Sequence, residues 1–180
     1  MGKGYTTEDF SADIPAEEYI ERFRDEERFL AMCKECPNFG KSWVCPPLEF
    51  DSTGLLRQYG KVHLMVTKII PEDRNQSIDI SGGFMREERI RLERELLEKE
   101  TLYGGRAFAY SGMCIYCKDS DCERRYGRPC CHPDKVRPSL EAFGFDLERT
   151  LLEIFGFEML WSRDGRLPEY LVLISGIFYN

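Results

Sequence analysis

Apolar residues recur along this chain at two periods, and the switches between them mark out its elements. From about Pro15 to Leu30 they fall at helical spacing: Tyr19, Ile20, Phe23 and Leu30 lie to one side, while Glu17, Glu21, Arg24 and Asp25 take the wetter positions. Asp13 is placed to cap this helix, and Pro15 suits its first turn. The period drops to two over Val62–Ile70. There Val62, Leu64, Val66 and Lys68 face opposite to His63, Met65 and Thr67, and Pro71 ends the strand. Ser81-Gly82-Gly83 reads as a loop without the lysine or spacing of a phosphate-binding motif. Phe84–Tyr103 is the clearest helix, with Met85, Leu92, Leu96 and Tyr103 inward. Its Glu87/Arg91 and Glu95/Lys99 pairs read as a solvated face, and Gly104-Gly105 closes it.

Ala107–Tyr110 reads as a short strand, and Pro138 opens a helical turn that runs to Phe143 and breaks at Gly144. Asp146 then caps a helix that turns Leu147, Leu151, Ile154 and Phe155 inward and stops at Gly156. Phe157–Trp161 and Tyr170–Phe178 read as two strands joined by a turn at Arg163-Asp164-Gly165. This order predicts an α+β fold, a mixed or mostly antiparallel sheet covered by helices, with cysteine-rich loops emerging from one packed body. A chain of 180 residues suits one domain, taken as 1–180.

The net charge of −7 argues against a general nucleic-acid binder, which needs a basic face to displace counterions from phosphates. No apolar run reaches the length of a membrane span, and the polar N-terminal stretch lacks the apolar core of a signal peptide. The expected address is cytoplasmic. Within that picture the eight cysteines carry the most information, because they fall in two groups: Cys33, Cys36 and Cys45, then Cys114, Cys117, Cys122, Cys130 and Cys131. Exported proteins use such numbers for disulfides, but in a reducing compartment clustered thiols hold metal or carry redox chemistry.

Cys114-x2-Cys117-x4-Cys122-x7-Cys130 offers four thiols in one loop. A two-residue gap lets both sulfurs of the first pair turn toward one centre, and four thiolates satisfy either tetrahedral zinc or a four-iron cubane cluster. Pro129 and Pro133 lie nearby, as in ferredoxin loops, although the later gaps are longer than the bacterial run. Zinc ribbons use two C-x2-C pairs where this loop has one, so the iron–sulfur reading leads and zinc is the alternative. Cys33-x2-Cys36-x8-Cys45 offers three thiols, which makes either a site completed from elsewhere or one with an open position. Cys131 is the first candidate to complete it and His132 the second, against a buried free thiol for Cys131. His63 reads as a packed or surface histidine and is left out. Lys34, Lys41, Arg124, Arg125, Arg128 and Lys135 lie near the thiols, where cations favour thiolate, and Trp43 and Tyr116 are placed to shield a centre from water. A thioredoxin-like role for either C-x2-C pair is weaker, since neither sits between a strand and a helix.

Several strings here resemble a known family. Cys33-Lys-Glu-Cys36-Pro-Asn-Phe-Gly40, Trp43-Val-Cys45-Pro46-Pro47, Gly112-Met-Cys114-Ile-Tyr-Cys117, Pro129-Cys130-Cys131-His132-Pro133 and the run from Arg137 to Asp146 are similar to motifs of the prokaryotic predicted metal-binding family, domain of unknown function 2284. The resemblance runs over most of the chain. It implies a bacterial or archaeal cytoplasmic metal-binding protein and specifies no reaction. Carried over by position, it implies Cys33, Cys36, Cys45, Cys114, Cys117, Cys122 and Cys130 as ligands. Cys131 stands where the family often has a basic residue, which favours a three-cysteine first site. Within Arg137-Pro138-Ser139-x-Glu141, helix-start chemistry accounts for every residue but Arg137.

Three functions follow. The first is a redox or electron-transfer protein with one or two [4Fe-4S]-type clusters and a redox protein partner. The second is a structural zinc module for a protein partner, and the third an enzyme using an open metal position at the three-cysteine site. No Ser-His-Asp set or His-Glu-x-x-His string stands out to support an enzyme.

Overall fold

The alternation centred on Val62–Ile70 produces the middle of a sheet. In the computed structural model, which describes residues 3–117 and 121–180, β2 (Lys61–Pro71) has a strand on each side. β1 (Tyr5–Pro15) runs antiparallel along one edge, in register from Tyr5 opposite Pro71 to Pro15 opposite Lys61. β4 (Leu171–Tyr179) runs antiparallel along the other, and β3 (Arg106–Phe108) adds three residue pairs to the far side of β4. The order is β1-β2-β4-β3, and the α+β class with an antiparallel sheet is as the sequence predicts.

Strand periodicity sorts the side chains into two layers. Val62, Leu64, Val66, Ile174 and Phe178 face α1 (Ala16–Phe23), which contributes Ala16, Tyr19, Ile20 and Phe23. The same layer holds α5 (Leu147–Thr150) with its π-helical continuation Leu151–Phe155, capped by Asp146 through the Arg149 amide as predicted. The opposite face packs Ile69, Leu171, Leu173 and Ile177 under α4 (Ser81–Tyr103) through Leu92 and Leu96. Gly104 ends α4 in the left-handed conformation, the expected stop. Among the described residues no helix is long and apolar enough to cross a membrane.

Five expectations need correction. The helix over 15–30 is two helices, α1 and α2 (Glu26–Lys34), because Arg24 is extended and buries its guanidinium against the Phe143 carbonyl, Thr53 and Ser52. Asp25 caps α2, whereas Asp13 lies in β1 and pairs with His63. Ser81-Gly82-Gly83 is the first turn of α4, not a loop. Residues 157–161 make no strand: Phe157 spends its apolar surface against the Phe10 and Tyr170 rings, at 5.4 and 5.9 Å. Finally, the charges of α4 are not all solvated. Glu88, Arg89 and Glu93 are buried, and Glu88 accepts from Lys3, Tyr5 and Arg91, two of which come from the N-terminal end of the chain, far away in sequence.

Candidate metal centre

Successive tight turns build the first cysteine loop. Cys33 sits in the last turns of α2, the Cys36 amide donates to the Cys33 carbonyl, and the Cys45 amide donates to Ser42. Gly40, with a φ of 68°, lets its amide reach the Pro46 carbonyl at 2.8 Å and folds the loop back on itself. Cys33, Cys36 and Cys45 are thereby close enough for thiolate repulsion to act among them: burial, then Cys36 and Cys33, push the Cys45 thiol up. Burial, then Glu141 and Cys36, do the same to Cys33.

The second loop is anchored at both ends to α4. Arg89, buried on that helix, donates to the Met113 carbonyl at 2.9 Å just before Cys114, and a second N–H of the same guanidinium goes to Glu93. Gly112 permits this approach, since its φ is 108° and a Cβ there would stand 3.1 Å from the Arg89 guanidinium. At the loop's exit Arg137 makes a two-pronged contact with Glu100, at 2.8 and 2.6 Å. Arg137 is thus a structural brace. Glu100 would rise on burial, but Arg137 and the Ala107 amide outweigh that and hold it below the usual carboxylate range.

Between these anchors lie Cys114, Cys117, Cys122 and Cys130. They line a hollow of ≈ 80 Å³ that also receives Cys45 and Trp43 from the first loop. Burial, then Cys114, Cys131, Cys122 and Cys130, raise the Cys117 thiol, and burial is also the largest cause raising Cys114. Cys131 is near enough to Cys117 to help raise its thiol, and it is exposed, so the buried-thiol alternative does not hold. The His132 amide donates to the Cys130 sulfur at 3.4 Å, and its ring lies 6.0 Å from that of Tyr116. His63 is occupied by Asp13 and stacks on Tyr103. Among the described residues no three His, Cys, Asp or Glu side chains already stand as ligands about one ion.

One arginine clasps the two loops together. Arg124, its side chain 8 % exposed, donates to the Ser42, Cys45 and Pro47 carbonyls at 2.9, 2.5 and 2.6 Å and lies over the Trp43 ring at 4.9 Å. The Trp43 indole N–H in turn donates to the Arg128 carbonyl at 3.1 Å. Of the other cations expected here, Lys41 and Arg125 line the hollow. Cations do not settle the thiol balance alone: Arg124 lowers Cys45, yet burial wins. Sequence reasoning gave Arg124 only a general electrostatic role and did not single out Arg89. Gly112 next to a cysteine pair was the available hint that a long side chain comes close.

The donor set fits a thiolate-bound metal. Soft sulfur donors on two interlocked loops, partly screened from water and flanked by cations, suit an iron–sulfur cluster or zinc. Cys114, Cys117, Cys122 and Cys130 would hold one centre, and Cys33, Cys36 and Cys45 would supply three ligands to another. No curated protein and no solved structure matches the chain. The family model described as "Predicted metal-binding protein (DUF2284)" matches residues 19–177 of the 180, so the chain belongs to that family of cysteine-rich predicted metal-binding proteins.

Proposed function

We propose that this chain carries a [4Fe-4S]-type cluster on Cys114, Cys117, Cys122 and Cys130, uses Cys33, Cys36 and Cys45 as a second metal-binding group, and serves a redox or electron-transfer role in the cytoplasm. The observation that carries the reading is the hollow that those four thiols line together with Cys45. Four thiolates match a four-iron cluster as well as tetrahedral zinc, and a loop with a single C-x2-C pair beside prolines favours the cluster. When bound, such a cluster supplies a one-electron couple. The chain's own groups do the rest: Arg89 and Arg137 fix the loop's ends, Trp43 limits water, and Arg124, Arg125 and Lys41 offset the anionic charge of a thiolate-ligated centre. Cys36 and Cys131 are exposed, so the centres lie near enough to the surface for electrons to pass to a protein partner.

The test is oxygen-free purification followed by iron, zinc and sulfide analysis and EPR on reduction. The proposal expects brown protein with iron and acid-labile sulfide in equal amounts and a cluster signal that is lost in Cys114→Ser. Colourless protein with stoichiometric zinc would replace it with the structural zinc reading.

A further inference from the structure

β3 ends at Phe108 opposite Gly176, so among the described residues the stretch of β4 from Leu171 to Ser175 has no strand beside it on that edge. A cavity of ≈ 600 Å³ occupies this place, within the range of pockets that bind small molecules. Its walls are mainly apolar: Phe29 and Met32 from α2, Met85 from α4, Leu171 and Leu173 from β4, and Leu160 from the segment before it.

The polar groups on those walls are few and unequal. Arg28 is committed to Asp146, at 3.0 Å, and Glu148 accepts the Trp161 indole N–H, also at 3.0 Å. The Glu141 carboxylate has no hydrogen bond or ion pair among the described residues, although it lines the cavity and is not fully exposed. Ser111 and Ser162 also line the cavity, but their hydroxyl oxygens are buried beneath its surface and are not open to a ligand within it. Among the carboxylates on these walls Glu141 alone has no hydrogen bond or ion pair among the described residues, and no uncommitted cation lies beside it.

We propose that this cavity binds a small organic cation, an apolar or aromatic body carrying a protonated amine. The body fills the apolar walls, while the ammonium, which has three donors and no acceptor, is neutralised by Glu141. Glu141 also borders the smaller hollow that contains Cys33 and Pro46, so a ligand held by this carboxylate lies beside the first cysteine group. The site stands on the cavity and its lining, whichever metal the thiols hold.

The experiment is calorimetric titration of the protein as isolated without oxygen, with its metal content measured in parallel. The probes are phenethylamine, the neutral phenethyl alcohol and the anionic hydrocinnamate. The expected result is saturable one-to-one binding of the amine, with the alcohol weaker by about tenfold, as loss of a charged hydrogen bond implies, and no binding of the acid. Glu141→Gln, which keeps shape and removes charge, should abolish the preference for the amine. Leu160→Trp, which narrows the cavity, should abolish binding while metal content and melting temperature stay as in the parent. Absence of saturable amine binding, alcohol bound as tightly as amine, or undiminished affinity in the correctly folded Leu160→Trp protein would each overturn the proposal.

Discussion

Replacing Arg124 with alanine removes the clasp between the cysteine loops while touching nothing in the core of the sheet. Three carbonyls, those of Ser42, Cys45 and Pro47, lose a shared guanidinium donor, and Trp43 loses the cation over its ring. A hydrogen bond to a charged group contributes about 1.5–3 kcal/mol, but the three share one side chain and the freed carbonyls recover some water. A net loss of about 3 kcal/mol is therefore reasonable, a factor of roughly 100 in the ratio of closed to open loops. Because the clasp lies outside the core, that loss should fall on metal retention and not on global unfolding. The assay is metal release to a competing chelator, alongside urea unfolding. Arg124→Ala should release metal at ~10–100-fold lower chelator concentration, the range seen when groups supporting metal ligands are lost. Arg124→Lys should resemble it closely, since an ammonium cannot reproduce the planar fork that spans three carbonyls. Chelator resistance within about twofold of the parent would refute the reasoning.

Arg137→Ala leaves Glu100 half-buried without its main partner and should lower stability by about 3 kcal/mol in urea unfolding at neutral pH. Because the folded protein holds the Glu100 carboxyl below its ordinary value, this contribution is present above the unfolded pKa and lost as pH falls through the folded one; the gap between parent and variant should therefore close in acid. Gly144→Ala should cost roughly 2 kcal/mol or more, since Gly144 has a φ of 87° and a Cβ there would stand 2.6 Å from the Glu26 Cα, a backbone atom that cannot swing away. Its melting midpoint should fall accordingly, and a midpoint unchanged from the parent would contradict the geometry. Burial first, and neighbouring charges after it, hold the Cys33, Cys45, Cys114 and Cys117 thiols above their ordinary value, so metal uptake must release protons. Apparent metal affinity of the stripped protein should thus climb between about pH 6 and 9, and a flat profile would show that these thiols are not the ligands.

How much of this was readable beforehand depended on whether the deciding partner was near in sequence. β2 and α4 announced themselves because one face of each is apolar at a single period, and Asp146 and Gly104 act on residues only a few positions away. β1 stayed hidden because it is an edge strand: most of its eleven residues are exposed or partly so, and its Glu8, Asp9 and Asp13 suit an unpaired edge better than an apolar alternation. The break at Arg24 was invisible because its cause is the carbonyl of Phe143, 119 positions away. Burial of Glu88 has the same origin, since Lys3 and Tyr5 satisfy it from the N-terminal end of the chain. The division of the thiols into two groups followed from spacing, whereas the nearness of Cys131 to Cys117 is a matter of the loop's folding that spacing does not give.

The central claim is that sulfur atoms from these two loops are the ligands of an inorganic centre. X-ray absorption at the metal edge of protein purified without oxygen tests it most directly. The account predicts iron with a first shell of sulfur and iron neighbours beyond it, altered when Cys114 or Cys122 is replaced by serine. A shell dominated by nitrogen and oxygen, or one unchanged by those replacements, would contradict it.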